Sequence, residues 1–157
     1  MSLSQPGTFF KDALRQAKGE RSEVMASSFT KSFTALPEHI DVLGHVNNAV
    51  WVQWMEQVSV EHWMTHALPS HVDAYIWVVT RHEVDYRGNV TEGETVTART
   101  WIPDPPRGAR FDRLIEFIGP DGKVKVAARS TWAMIDKETA RLMRVPAEVA
   151  APFLNLR

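Results

Sequence analysis

The chain predicts an α+β fold, one long helix packed against a curved antiparallel sheet, and three observations carry that prediction. A single helical pattern, from about Asn47 to Leu68, is unusually rich in apolar residues. One segment before it and four after it alternate with the two-residue period of strands. The last three strand segments follow one another through connections short enough for antiparallel hairpins, which makes them a meander. So apolar a helix needs a cover, and one sheet face supplies it in α+β proteins.

Residues 1–27 read as a peripheral segment of mixed polarity, within which 8–18 has the spacing of a short amphipathic helix. The domain proper is expected over 28–157. Phe29–Leu36 alternates as a strand and Pro37 ends it. A polar loop leads into the helix, where Trp51, Trp54, Met55, Val58 and His62 recur at spacings of three and four, and Gln53, Gln57 and Glu61 mark a polar face. Val50, Val52, Val60, Trp63 and Met64 widen the apolar surface well past one stripe, so the helix is expected to be largely enclosed. Beyond Pro69, Ala74–Tyr86 alternates and is apolar on both faces in its first half, which predicts a central strand covered on both sides. Gly93–Ile102, Arg110–Ile118 and Val124–Ile135 complete the sheet, with a turn at Gly119-Pro-Asp-Gly122.

Composition removes several function classes. A net charge of -1 gives no general attraction to nucleic acid or to an anionic membrane, so neither is expected as a partner. The absence of cysteine rules out disulfides, thiolate metal ligands and a cysteine nucleophile. There is no apolar run of membrane-spanning length and no secretory signal order, and Asp12, Glu20 and Glu23 argue against a mitochondrial presequence, so a cytoplasmic address is expected. Asn89-Val-Thr91 matches a glycosylation acceptor but reads as a turn without a secretory route.

The most informative segment is Asp41-Val-Leu-Gly-His45-Val-Asn47-Asn48. It sets a carboxylate, a glycine, an imidazole and two amides directly ahead of the apolar helix. Left unpaired and buried, such groups would cost roughly 1–3 kcal/mol each, so they cap the helix, serve a site, or do both.

This octapeptide, the aromatic-rich helix carrying Glu56, the Glu83-Val-Asp-Tyr86 strand and the ending Ile135–Pro146 together resemble the hot-dog-fold thioesterases of the 4-hydroxybenzoyl-CoA thioesterase type, including the plant acyl-ACP thioesterases. The resemblance covers about residues 28–150. It implies a hot-dog fold, with the sheet wrapped around the central helix, and a homodimer made by joining two sheets edge to edge, or a homotetramer of such dimers. It also implies hydrolysis of an acyl-CoA or acyl-ACP thioester to a free acid and a thiol, at a dimer-interface site that needs neither metal nor cofactor. Plant relatives often carry Asn two places after the aspartate, where this chain has Leu43, which takes that amide out of any mechanism here.

Thioester hydrolysis needs a nucleophile or a base, together with donors for the charge that develops on the carbonyl oxygen. Asp41 is the best carboxylate for the first role, by direct attack or by deprotonating water; its bland reading is a loop or helix cap. Asn48 begins the helix, so its backbone N–H is an oxyanion donor backed by the helix dipole. Gly44 is a turn glycine. His45 hydrogen-bonds the substrate carbonyl, orients Asp41 or packs across the loop, and Asn47 supports the site or caps the helix. Glu56, in the helix, is the second carboxylate candidate, with a solvated glutamate as its plain reading. His62 and His66 have the spacing of a two-ligand metal face, but no third ligand and no HExxH accompany them. Arg107, Arg110 and Arg113 have the chemistry to hold coenzyme A phosphates, with surface solvation as the alternative.

Overall fold

In the computed structural model, which describes residues 28–154, the five alternating segments become the five strands of one sheet. They are β1 (Phe29–Thr34), β2 (Tyr75–Tyr86), β3 (Thr95–Trp101), β4 (Arg110–Ile118) and β5 (Val124–Asp136). Their order is β1-β3-β4-β5-β2, and every neighbouring pair is antiparallel. β3, β4 and β5 form the expected meander, and the turn before β5 closes with the Gly122 N–H donating to Gly119 O at 3.0 Å. The long helix is α1 (Asn48–His66), with Asn47 as its N-cap. Two short helices, α2 (Pro69–Ala74) and α3 (Ala147–Ala150), are additions to the sequence reading; neither is long enough to display a 3.6-residue period. The amphipathic helix expected over 8–18 lies outside the described residues.

Aromatic packing fastens the first half of α1 to the sheet. Trp51 is fully buried and meets Trp54 and Phe117 edge-on, at ring-centroid distances of 5.2 and 5.1 Å. Phe33 of β1 stacks on Trp54 at 5.2 Å. Val46, Val58, Val96, Ile115 and Val126 fill the space around these rings. Truncating Trp51 to alanine would cost roughly 3–5 kcal/mol, because a packed sheet cannot collapse into so large a hole.

Two expectations are corrected. α1 buries one face, through Val50, Trp51, Trp54, Met55, Val58, Ser59 and His62, whereas Val60 and Met64 are 46% and 57% exposed. β2 is an edge strand rather than a central one, and Ile76, Val78 and Val79 lie exposed along it. Apolar composition reports that a surface needs covering; it does not say which neighbour provides the cover.

A bulge in β2 also changes its phase. Val79 pairs with Trp132 and Arg81 with Thr131, so Thr80 is left over. Before the bulge the odd-numbered Trp77 faces α1, where it meets Trp63 at 5.5 Å; after it the even-numbered His82 and Tyr86 face that way. A single alternation read through Ala74–Tyr86 therefore assigns the wrong face to half the strand. No helix among the described residues is long and apolar enough to cross a membrane.

Candidate active site

The octapeptide folds into a tight loop just ahead of α1. The Asp41 N–H donates to His45 O at 2.8 Å, the Gly44 N–H donates to Asp41 O at 3.0 Å, and Ile40 and Val46 form a bridge beneath. Gly44 has φ 77°, in the left-handed region where a side chain is strained. The Asp41 carboxylate has divided duties. Its Oδ1 accepts the N–H groups of Leu43 and His45 at 2.9 and 3.4 Å, while Oδ2 has no hydrogen-bond partner among the described residues. The capping reading and the chemical reading are thus compatible, one for each oxygen.

Asn47 Oδ1 accepts the Ala49 N–H at 2.9 Å and so caps α1. Asn48 is the first helical residue, and the intrahelical pattern offers its N–H no acceptor. Its carbonyl accepts the Tyr86 hydroxyl at 3.3 Å. His45 is exposed, and its imidazole makes no hydrogen bond among the described residues. Val42 and Leu43, at the loop tip, are exposed as well.

Sequence reasoning missed the residue that anchors this loop. The Asn89 side chain accepts the Val46 N–H at 3.1 Å and donates to Val46 O at 3.4 Å, reaching across from the β2–β3 connection. The sequence does place a turn at Asn89; its contact across 43 residues has no local signal.

Glu56 is exposed on α1, close enough to β2 for its charge to favour protonation of His82. Burial acts the other way and more strongly, so the His82 imidazole is held below its ordinary value. His82 Nδ1 lies 2.7 Å from the buried Ser130 Oγ. Glu56 therefore acts on an imidazole through its charge, and His82 is a second residue that sequence reasoning did not bring to the site.

The arginine trio is split: Arg107 lies ahead of β4, and the alternation of β4 puts Arg110 and Arg113 on opposite faces. Arg107 and Arg110 are exposed, and Arg107 reaches Asp112 at 3.3 Å. Arg113 points the other way, beneath α1, where its Nη1 donates to His62 Nδ1 and to Thr100 Oγ1, both at 2.9 Å. Surface solvation fails for this residue. His62 is held at about 3 by burial first, then by the Arg113 charge and then by His66, and its Nδ1 is already taken as an acceptor. A metal face at His62 and His66 is not what this geometry builds; among the described residues no three ligating side chains cluster.

An apolar cavity of about 260 Å³ opens beside the second half of α1, between Val60, Trp63, the start of β2 and the α3 segment. Ser59, the first helix residue on its wall, lies eleven residues beyond Asn48, or roughly 16 Å along the axis at helical rise. Within one chain, then, the loop and the cavity occupy opposite ends of α1.

The family model of the thioesterase-like superfamily matches residues 35–153, well over half of the chain. The chain belongs to the thioesterase-like superfamily. This superfamily member is 35% identical over 75 residues to a chloroplastic acyl-[acyl-carrier-protein] hydrolase of Cuphea viscosissima, and 37% identical over 75 residues to a palmitoyl-acyl carrier protein thioesterase of Gossypium hirsutum. Each match covers 47% of this chain and 18% of the relative, so the chain spans less than a fifth of the length of these curated relatives. Among solved structures, an acyl-ACP thioesterase from Bacteroides thetaiotaomicron matches with a TM-score of 0.74 and 22% identity, over 86% of this chain and 56% of that one. A Staphylococcus aureus protein solved in complex with CoA matches with a TM-score of 0.72 and 19% identity, over 80% of each chain. These likenesses show the shared hot-dog fold, as the octapeptide and strand pattern implied.

Proposed function

We propose that the protein hydrolyses an acyl thioester to a free acid and a thiol, with coenzyme A or acyl carrier protein as the thiol carrier. The observation that carries this reading is the divided Asp41 carboxylate, one oxygen bracing the loop and the other unengaged at the start of a helix. Oδ2 either takes a proton from water as that water adds to the thioester carbonyl, or attacks the carbonyl carbon itself. The carbonyl oxygen gains negative charge in either route. The Asn48 N–H, at the positive end of α1, receives it in this reading. Cleavage of the C–S bond then releases the thiol: in the first route Asp41 returns the proton it took from water, and in the second solvent protonates the thiolate and water hydrolyses the acyl-Asp41 anhydride to the free acid.

We assign the acyl group to the apolar cavity and infer that a homodimer brings the two halves of the site together. β2 runs antiparallel to α1: its Tyr86 end touches Asn48, and its Trp77 end touches Trp63 beside the cavity. Two-fold pairing of β2 edges sets the Tyr86 end of one subunit against the Tyr75 end of its partner. Each loop then meets the cavity of the other subunit. The apolar first half of β2 gains its missing cover in the same step.

A second reading keeps the reaction but moves the carboxylate to Glu56, which lies one helical turn before Val60 on the cavity wall and whose charge reaches His82. Paired variants separate the two. In thiol-release assays over short, long and aromatic acyl-CoA and acyl-ACP substrates, Asp41→Asn should lower kcat by about 10²-fold or more, the scale of a lost general base, with its melting curve retained. Full activity in Asp41→Asn with a comparable loss in Glu56→Gln would transfer the role to the helix. Silence of the wild-type protein on the whole panel would leave a non-hydrolytic acyl- or carrier-binding protein.

A further inference from the structure

Arg113 is the least expected group in the protein: a guanidinium only 4% exposed, on the helix-facing side of the sheet, with no ion-pair partner among the described residues. A buried cation without a counter-charge is costly, and proteins ordinarily avoid one or neutralise it. His62 and Thr100 both take hydrogen bonds from Nη1 alone. Nε is buried without an acceptor, and Nη2 has none among the described residues. Burial pulls the guanidinium down to about 9, which leaves it charged at neutral pH. His62 offers a lone pair, and the Phe111 ring lies 5.8 Å from the guanidinium carbon, but neither is an anion.

Arg113 lines the apolar cavity. The mouth of that cavity is marked by the exposed Val60, Met64 and Ile76, and its inner wall by the buried Arg113, Trp132 and Phe153. Trp132 likewise has an indole N–H with no acceptor. Lys137, whose Nζ donates to Val72 O at 2.8 Å, is the other cation on the lining, and no carboxylate lies on it. The cavity is therefore apolar along its length and short of hydrogen-bond acceptors and negative charge at its inner wall. An unsubstituted alkyl chain would satisfy the first property and leave the second unanswered.

We propose that the cavity is a specificity pocket for an acyl group carrying an oxygen acceptor at its far end, a terminal carboxylate above all, with Arg113 as the specificity-determining residue. A carboxylate entering past Val60 and Ile76 would meet the unpaired side of the guanidinium and complete a charge-assisted pair in a dry setting, where such pairs are strongest. The methylenes between that carboxylate and the thioester would lie against Trp63, Trp77 and Phe111. The assignment rests on the thioesterase reading for what the far end is far from; the pocket chemistry itself does not depend on hydrolysis.

Binding to the intact protein tests it. Non-hydrolysable thioether analogues of acyl-CoA, matched in chain length and ending in either methyl or carboxylate, are titrated against the fluorescence of the cavity tryptophans, and the corresponding thioesters are assayed for thiol release. The carboxylate-ended analogue should bind at least tenfold more tightly, and Arg113→Met should abolish that preference. Because Arg113→Met also removes the bonds to His62 and Thr100, Arg113→Lys serves as a second variant, which keeps the charge and should keep part of the preference. Equal or weaker binding of the carboxylate-ended analogue to the wild-type protein overturns the pocket assignment whatever the variants do, and leaves hydrolysis in place. Preserved discrimination in binding with no thioester cleaved overturns the hydrolase reading and leaves the pocket. If neither analogue binds, the cavity is not an acyl pocket and the proposal fails.

Discussion

The side-chain amide of Asn89 holds the backbone of Val46 at both ends, accepting its N–H at 3.1 Å and donating to its carbonyl at 3.4 Å. Val46 is fully buried between His45 and Asn47, so this clamp sets the height of the Asp41 loop relative to the start of α1. Asn89→Ala leaves the Val46 carbonyl without that donor and should destabilise the fold by roughly 1–3 kcal/mol, the range for a buried polar group deprived of its partner. Turnover should fall further than stability implies, because the loop would lose its register at the site. Urea melts and steady-state kinetics on the same preparation check both, and unchanged kcat in a measurably destabilised variant would reduce Asn89 to a purely structural role.

His62 gives stability a defined pH dependence. In the unfolded chain it protonates near its ordinary value of 6.5, whereas in the folded chain burial, the Arg113 charge and the His66 charge hold it at about 3. Between those values the unfolded state binds more protons, so the contribution is full above about pH 6.5 and is lost as pH falls toward 3. The slope from this one group is at most about 1.4 kcal/mol per pH unit. His62→Gln, which keeps an acceptor for Arg113 but does not titrate, should flatten the decline seen in denaturant melts between pH 6.5 and 4.5. An unaltered slope would place the acid sensitivity elsewhere.

The exposed apolar edge of β2 predicts an assembly. Ile76 and Val78 are 44% and 37% exposed on a strand that, among the described residues, pairs with β5 alone. Lysine on a strand edge opposes pairing with a second edge. If β2 edges pair as proposed, the double variant Ile76→Lys, Val78→Lys shifts that dimer to monomer in light scattering and lowers kcat/KM at least tenfold, since each loop loses its partner's cavity. A variant that remains dimeric and active would show that the subunits, if they pair, do so through another surface.

The sequence by itself determined the architecture: five alternating segments and one apolar helix specify the α+β layout, because periodicity is a local property of the chain that survives without knowledge of neighbours. It also marked the octapeptide, whose glycine, cap and carboxylate act within eight residues of one another. Tertiary structure alone decided what depends on meetings between distant segments. Thr80 slips out of register only against β5, which turns His82 toward α1. Asn89 becomes a clamp only where its connection crosses the loop. Arg110 and Arg113 look alike along the chain, yet the alternation of β4 sends one to solvent and the other under the helix, where a charge without a counter-charge acquires a consequence. Local composition encodes which surfaces need cover and which groups can do chemistry; the long-range pairing of strands and helix decides which of those groups meet, and in how dry a place.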